Sequence, residues 1–485
     1  MKNKTNGGIV DGLFWTFLER ISAQLVSTIV GIILARALMP EEYGIISIVM
    51  IFIDFCNVFV TSGFGTAVIQ KQNADKKDFN TAFVMSFGVS VLLYIVLFVS
   101  APYIASFYEM SILENVLRVL GIRLLFTSIN NVQQSFIQRD LQFRKLFFAT
   151  IAGTVLSCVA GVAMAYSGFG VWALVTQYLL NVIIGTIALS FVCGWHPGLE
   201  LSKESAKLIF SFGGKVLATN IVFTINAKFR SFATGKFFGA EALAFYDQGQ
   251  KYPTLLVSNI NASIQKVLLP VYSRKQDDIV DLKNTLRKSI QIGMFILAPM
   301  MIGLCAISNS FVSAVLTEKW VEAVPYMQIF SIMYITRPFE SSCHQALLAL
   351  GKASLVFWIM VIIDGLGLVL AIIAIFVMKN VLWLAIFSLV TTGVSIVCFL
   401  CAANKLFHYH LVELMTDTIP TILIATIMGI TVSFMGFLPA PMIAKLVLQI
   451  VCGVAVYIVL AYVTKSQAFY YLLSRIKNTF KKEEK

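Results

Sequence analysis

Runs of about 20 mostly apolar residues, each long enough to cross a bilayer's hydrocarbon core as a helix, follow one another along almost the whole chain. With loop signals as boundaries there are fourteen, at 13–37, 45–69, 80–106, 112–137, 146–167, 171–194, 206–234, 241–268, 289–315, 322–349, 354–378, 381–404, 417–436 and 442–464. The fourth, seventh, eighth and tenth are the least apolar. A backbone in lipid must satisfy its own N–H and C=O groups, so helices are the economical solution for runs of this kind. The expectation is an all-α polytopic membrane protein of about fourteen transmembrane helices. Glu19 and Arg20 interrupt the first run, which reads as an uncleaved span rather than a signal peptide.

Composition agrees. Of 485 residues, 58% are hydrophobic and only 13% charged, and the mean hydropathy is +0.83. A soluble domain carries about twice that charge, so soluble, disordered, collagenous and coiled-coil chains are excluded. The eight cysteines all lie in apolar runs and read as small buried hydrophobes. Cys398 and Cys401 form a CxxC, but Val397, Phe399 and Leu400 place it inside a spanning helix. No disulfide framework, metal site, cofactor or catalytic residue is expected.

The loops set the orientation. Lys71, Lys76, Lys77, Arg139, Arg144, Lys145, Lys203, Lys207, Lys352 and Lys405 fall on one side of the spans. The basic 274–288 stretch, Lys465, the basic tail and Lys2 and Lys4 join them. Only Arg36, Lys236, Lys319, Lys379 and Lys445 fall on the other. The positive-inside rule therefore puts both termini in the cytoplasm. The net charge of +12 is largely this topology signal, and nucleic acid is not an expected partner. Every outer loop is short, and the charged stretch at about 270–288 reads as a cytoplasmic interfacial helix.

The strings RALMPEEYG (36–44) and KFFGAEALA (236–244) resemble each other, with Arg36 matching Lys236 and Glu41 matching Glu241. Each follows an outward-running span and precedes an inward-running one, and six spans separate them. Parallel repeats related by an axis along the membrane normal, with a binding cavity between them, have this pattern. The expected layout is two pseudo-symmetric six-helix lobes, 1–199 and 200–410, then an extra helix pair, 411–465, and a basic cytoplasmic tail, 466–485.

Basic residues outnumber acidic ones inside the spans. A charge at mid-bilayer costs at least about 2.5 kcal/mol, so these side chains should face water or a bundle interior. Asp247 with Lys251 and Arg337 with Glu340 have helical pair spacing. Arg118, Arg123, Lys215, Lys228 and Arg230 have no acidic partner nearby in sequence on this reading. With Arg337, they are the candidate lining of a cationic cavity for an anionic cargo. Arginine suits phosphate because its planar fork donates bidentate hydrogen bonds and stays charged. Asp54 and Asp364, alone in their spans, are candidates for carrying a coupling proton or Na⁺, or for pairing with the basic excess across helices.

Several segments resemble bacterial polysaccharide flippases of the Wzx type. They include ASFYEMSILENVLRVLGIRLL (105–125), QQSFIQRDLQFRKLFF (133–148), GFGVWALVTQYLL (168–180), FGAEALAFYDQGQKY (238–252), LLPVYSR (268–274) and ALLALGKAS (346–354). The likeness is nearest to exporters of colanic-acid-like or teichuronic-acid-like units. It implies the multidrug/oligosaccharidyl-lipid/polysaccharide exporter superfamily, with twelve or fourteen helices in two lobes and alternating access. It implies a multi-pass protein of the bacterial cytoplasmic membrane that moves an undecaprenyl-pyrophosphate-linked oligosaccharide among membrane lipids, with a polysaccharide polymerase and other assembly proteins as partners. Arg118, Arg139, Asp140 and Arg144 match family positions, and the last three, in an inner loop, suggest a gating or helix-end role. A multidrug-type exporter and a lipid II flippase-like protein share the fold. The cationic excess disfavours the first as a carrier of drug cations and does not separate the second.

Overall fold

The computed structural model describes residues 2–71 and 74–474. Its helices are α1 (Lys2–Ala37), α2 (Pro40–Thr61), α3 (Phe64–Gln70), α4 (Lys76–Tyr108), α5 (Ile112–Gly121), α6 (Arg123–Arg139), α7 (Phe143–Tyr166) and α8 (Val171–Val192). They continue as α9 (Lys203–Ser273), α10 (Ile279–Phe311), α11 (Val324–Tyr334), α12 (Arg337–Ala349), α13 (Ala353–Ile373), α14 (Val381–Phe407), α15 (Leu411–Met435) and α16 (Met442–Val463). Among the described residues, ten helices are long and apolar enough to cross a membrane. Large apolar side chains stay exposed on them, as at Leu92, Val159, Phe191 and Phe434. That pattern suits lipid, which needs no polar coat.

The four least apolar runs are helical as well, with interruptions. The fourth is α5 and α6, broken at Ile122, and the tenth is α11 and α12, broken at Ile335 and Thr336. Each resumes on an arginine, Arg123 or Arg337. The seventh and eighth runs are the two halves of α9, whose helical path breaks at Gly239 (φ 87°, ψ 173°). That backbone conformation is essentially reserved for glycine.

The chain forms two compact units, Met1–Ala244 and Phe245–Lys485. The lobes read from the repeat meet at 199/200, whereas the packing units divide inside α9, after the first half of that helix. In the first unit, α7 packs on α1 and α8, and α4 on α5 and α6. Ile48, Val49, Ile53, Leu113, Leu117 and Leu120 lie in its core. In the second unit, α10 packs against α11, α12, α15 and α16. Leu286, Ile290, Met294, Phe339 and Phe399 lie in that core.

Caps begin the helices where sequence chemistry suggests. Pro40 opens α2, and the Glu42 carboxylate accepts the Met39 N–H at 2.7 Å. Asp75 caps α4, while Asp78 accepts from Lys71 Nζ at 2.8 Å and from the Ser205 hydroxyl. The hydrogen bond to Asp78 holds the Lys71 ammonium above the ordinary lysine range. Trp195 Nε1 donates to Asn80 at 2.9 Å. One expectation is corrected here. The 270–288 stretch is no separate interfacial helix: Asp278 caps α10, accepting from the Val280 and Asp281 N–H groups at 3.0 Å. α10 therefore starts early, because Leu282, Leu286 and Ile290 at four-residue spacing bury one continuous stripe.

Candidate functional site

Within the first unit, one face of α2 presents Met50, Asp54 and Asn57, a spacing that aligns side chains along a helix. Asp54 Oδ2 meets Lys228 Nζ, from the first half of α9, at 2.7 Å. Both side chains remain partly exposed, at 30% and 37% respectively. The pairing alternative for Asp54 is therefore the one observed. One turn from Asp54, Met50 Sδ accepts weakly from Arg123 Nη1 at 3.8 Å. The Arg123 guanidinium also lies 5.9 Å from the Tyr178 ring centroid on α8.

Arg123 makes no ion pair among the described residues, and its buried Nε has no hydrogen-bond partner. With Asp54 engaged by Lys228, the group keeps one positive charge in excess. A guanidinium with an enclosed, unused donor suits an anionic oxygen, since an unsatisfied buried N–H carries a desolvation cost that such a partner removes. Uncharged amides lie among the helices of the same unit. Asn57 Oδ1, Asn131 Nδ2 and Gln133 Oε1 are buried without partners. Gln134 donates to Asn130 at 2.6 Å, and Asn181 donates to Thr154 at 3.4 Å. These amides carry no charge and are not among the candidate residues. The signal was present, for Asn130 with Gln134 and Gln177 with Asn181 repeat every four residues in spans.

The other candidates are scattered. Arg118 is corrected: it has an acidic partner after all, Glu114 one turn earlier on α5, at 2.6 Å. Its guanidinium also stacks 4.5 Å from the Phe98 ring centroid, so it is held at a helix end. Arg230 is partly buried on α9 with no ion pair among the described residues. The Lys215 side chain lies outside the described residues. In the second unit Arg337 pairs with Glu340 at 3.1 Å, as its spacing suggests, and lies 5.7 Å from the Tyr334 ring. Asp364 is exposed on α13 beside exposed Val361, Ile362 and Leu368.

Arg139, Asp140 and Arg144 lie where α6 ends and α7 begins, and two of them make contacts that hold this turn. Arg139 Nη1 donates to the Ala74 carbonyl at 2.8 Å. Asp140 ends α6, and the Arg144 guanidinium lies 5.5 Å from the Trp15 ring.

A buried ionic node in the second unit lies outside the candidate residues. Asp417 on α15, 3% exposed, accepts from Arg287 Nε at 2.9 Å and Nη2 at 2.8 Å. Gln291 adds a bond of 2.7 Å and the Tyr409 hydroxyl one of 3.0 Å.

Comparison with known proteins places the chain in a family. The chain is 27% identical over 360 residues to teichuronic acid biosynthesis protein TuaB of Bacillus subtilis (strain 168), covering 72% of this chain and 73% of that protein. It is 22% identical to succinoglycan biosynthesis transport protein ExoT of Rhizobium meliloti (strain 1021), covering 71% of this chain and 70% of that one. The fold resembles that of lipid II flippase MurJ in its inward closed conformation. There the TM-score is 0.71 at 13% identity, over 94% of this chain and 98% of MurJ. The family model described as polysaccharide biosynthesis protein matches residues 33–325, more than half of the chain and the whole of the stretch that holds Asp54, Arg123 and Lys228. This multi-pass membrane protein belongs to the polysaccharide biosynthesis protein family.

Proposed function

We propose that this protein flips a lipid-linked oligosaccharide across the cytoplasmic membrane by alternating access, with no enzymatic step. Family membership, a MurJ-like fold and the transport role in the name of one relative support the class. The observation that carries the anionic cargo is Arg123: partly buried with its Nε enclosed, without an ion pair among the described residues, and in contact with Met50, one turn from the neutralised Asp54–Lys228 pair. An undecaprenyl pyrophosphate carries the phosphate oxygens such a donor fits. In this reading Arg123 and Arg230 contact the cargo, Asp54 balances Lys228, and Arg139, Asp140 and Arg144 brace the inner turns.

The proposed layout is fourteen traverses in two six-helix lobes, 1–199 and 200–410, with the 411–465 pair added. The fourth and tenth spans, one repeat apart, both break and both resume on an arginine, which supports the parallel repeat.

Arg123→Met is the test. A charge-assisted hydrogen bond is worth about 1.5–3 kcal/mol, so polymer export should fall roughly tenfold to a hundredfold while the protein stays in the membrane. Arg123→Lys should recover part of it. Full export by Arg123→Met at normal protein levels would remove the assignment.

Orientation has its own test. Cysteine at Gln276→Cys, in the turn after α9, should resist an impermeant thiol reagent in intact spheroplasts and react once the membrane is opened. Labelling from outside reverses the topology.

A further inference from the structure

Helices α13 and α14 line an open groove of about 490 Å³ at one end of the second unit. Its wall is apolar, formed by Leu355, Ile359, Ala402 and Leu406 with the thiols Cys398 and Cys401. Its mouth carries two lysines, Lys352 and Lys405. Lys352 precedes the first turn of α13, and Lys405 lies in the last turn of α14. Both helices are long and apolar enough to span a membrane, so both ammonium groups sit at the same membrane edge. Both side chains are exposed, and neither makes an ion pair among the described residues.

Lysines at helix ends commonly extend toward the headgroups with their stems along the apolar surface. Here two unpaired ammonium groups converge on one concave apolar wall. That combination matches a single amphipathic molecule, with an anionic headgroup at the mouth and an acyl chain in the groove. Basic pockets between helices on the cytoplasmic side take anionic lipid headgroups by the same logic. We propose that the α13–α14 groove is a binding site for an anionic glycerophospholipid, its phosphate bridging Lys352 and Lys405 and an acyl chain lying against Ile359 and Cys401. Placing that lipid in the inner leaflet rests on the orientation proposed above. Binding itself does not, because a reconstituted bilayer offers both leaflets.

The test is native mass spectrometry of the full chain, reconstituted with phosphatidylglycerol or phosphatidylcholine and returned to mild detergent. The parent should retain phosphatidylglycerol in preference to phosphatidylcholine. The double variant Lys352→Gln/Lys405→Gln should lose that retention by about thirtyfold, from roughly additive contributions of two basic residues. Lys379→Gln, six residues beyond the far end of α13, should retain it. Unchanged phosphatidylglycerol retention in the double variant overturns the site, as does equal retention of phosphatidylcholine by the parent. The parent alone provides a second measurement should the double variant melt early. Its phosphatidylglycerol adduct should weaken as salt rises from about 0.05 to about 0.5 M, since screening acts on the headgroup contact. An adduct indifferent to salt is held by acyl packing and overturns the two-lysine bridge. Inner-leaflet placement fails separately, through the Gln276→Cys labelling.

Discussion

Asp417→Ala should cost about 3 kcal/mol of stability, the lower end of the range for removing one partner from a buried ionic pair. The carboxylate is 3% exposed and accepts four hydrogen bonds, two of them from the Arg287 fork. Without it Arg287 keeps only Glu413, at 3.4 Å, and the Tyr409 hydroxyl and Gln291 lose their acceptor. Arg287 is itself 30% exposed, so solvent recovers part of its loss. This places the effect at the low end. Thermal unfolding of the purified protein in detergent reads it: the alanine variant should melt well below the parent. Asp417→Asn keeps the shape and some acceptor capacity, and should fall between the two. Equal melting of alanine variant and parent would show that α15 is held to α10 by apolar packing alone.

Gly44→Val should be comparably severe for a different reason. A Cβ on Gly44 would stand 1.8 Å from the Ala240 carbonyl oxygen and 2.3 Å from its carbon. No rotamer relieves a clash with backbone, so α2 or α9 must shift bodily. Overpacking of this kind costs about 1–3 kcal/mol and occasionally more. Gly44→Ala should already lower the melting temperature and the amount of protein in the membrane. Because the obstacle is a main-chain oxygen, adding Ala240→Gly should not rescue it. Rescue would place the conflict at the Ala240 methyl instead.

The apolar runs were legible because a lipid-facing helix must be apolar over its whole length, and that signal is local. The breaks that precede α6 and α12 were less so. Pro338 marks the second, but nothing about Ile122 announces the first. Glu114–Arg118 is legible, being one helical turn apart on a single helix. Asp54–Lys228 could be offered only as one alternative, since nothing in the intervening chain says that α2 and α9 meet. Arg287 was assigned to an inner loop and Asp417 fell at the edge of a span, so neither position suggested that packing would bury them together. Register between distant helices is a tertiary fact, and the partnership of charges follows it.

The join of α9 to the first unit has a consequence for synthesis. Asp78 waits for Ser205 and Asp54 waits for Lys228, both made only after six earlier runs have left the ribosome. Until that first half of α9 enters the membrane, two carboxylates of the earlier helices lack partners that the finished protein gives them. The nascent chain thus reaches its first complete packing unit not at the end of the sixth run but near Ala244, and a pause or truncation between those points would present the insertion machinery and its proteases with unfinished charges.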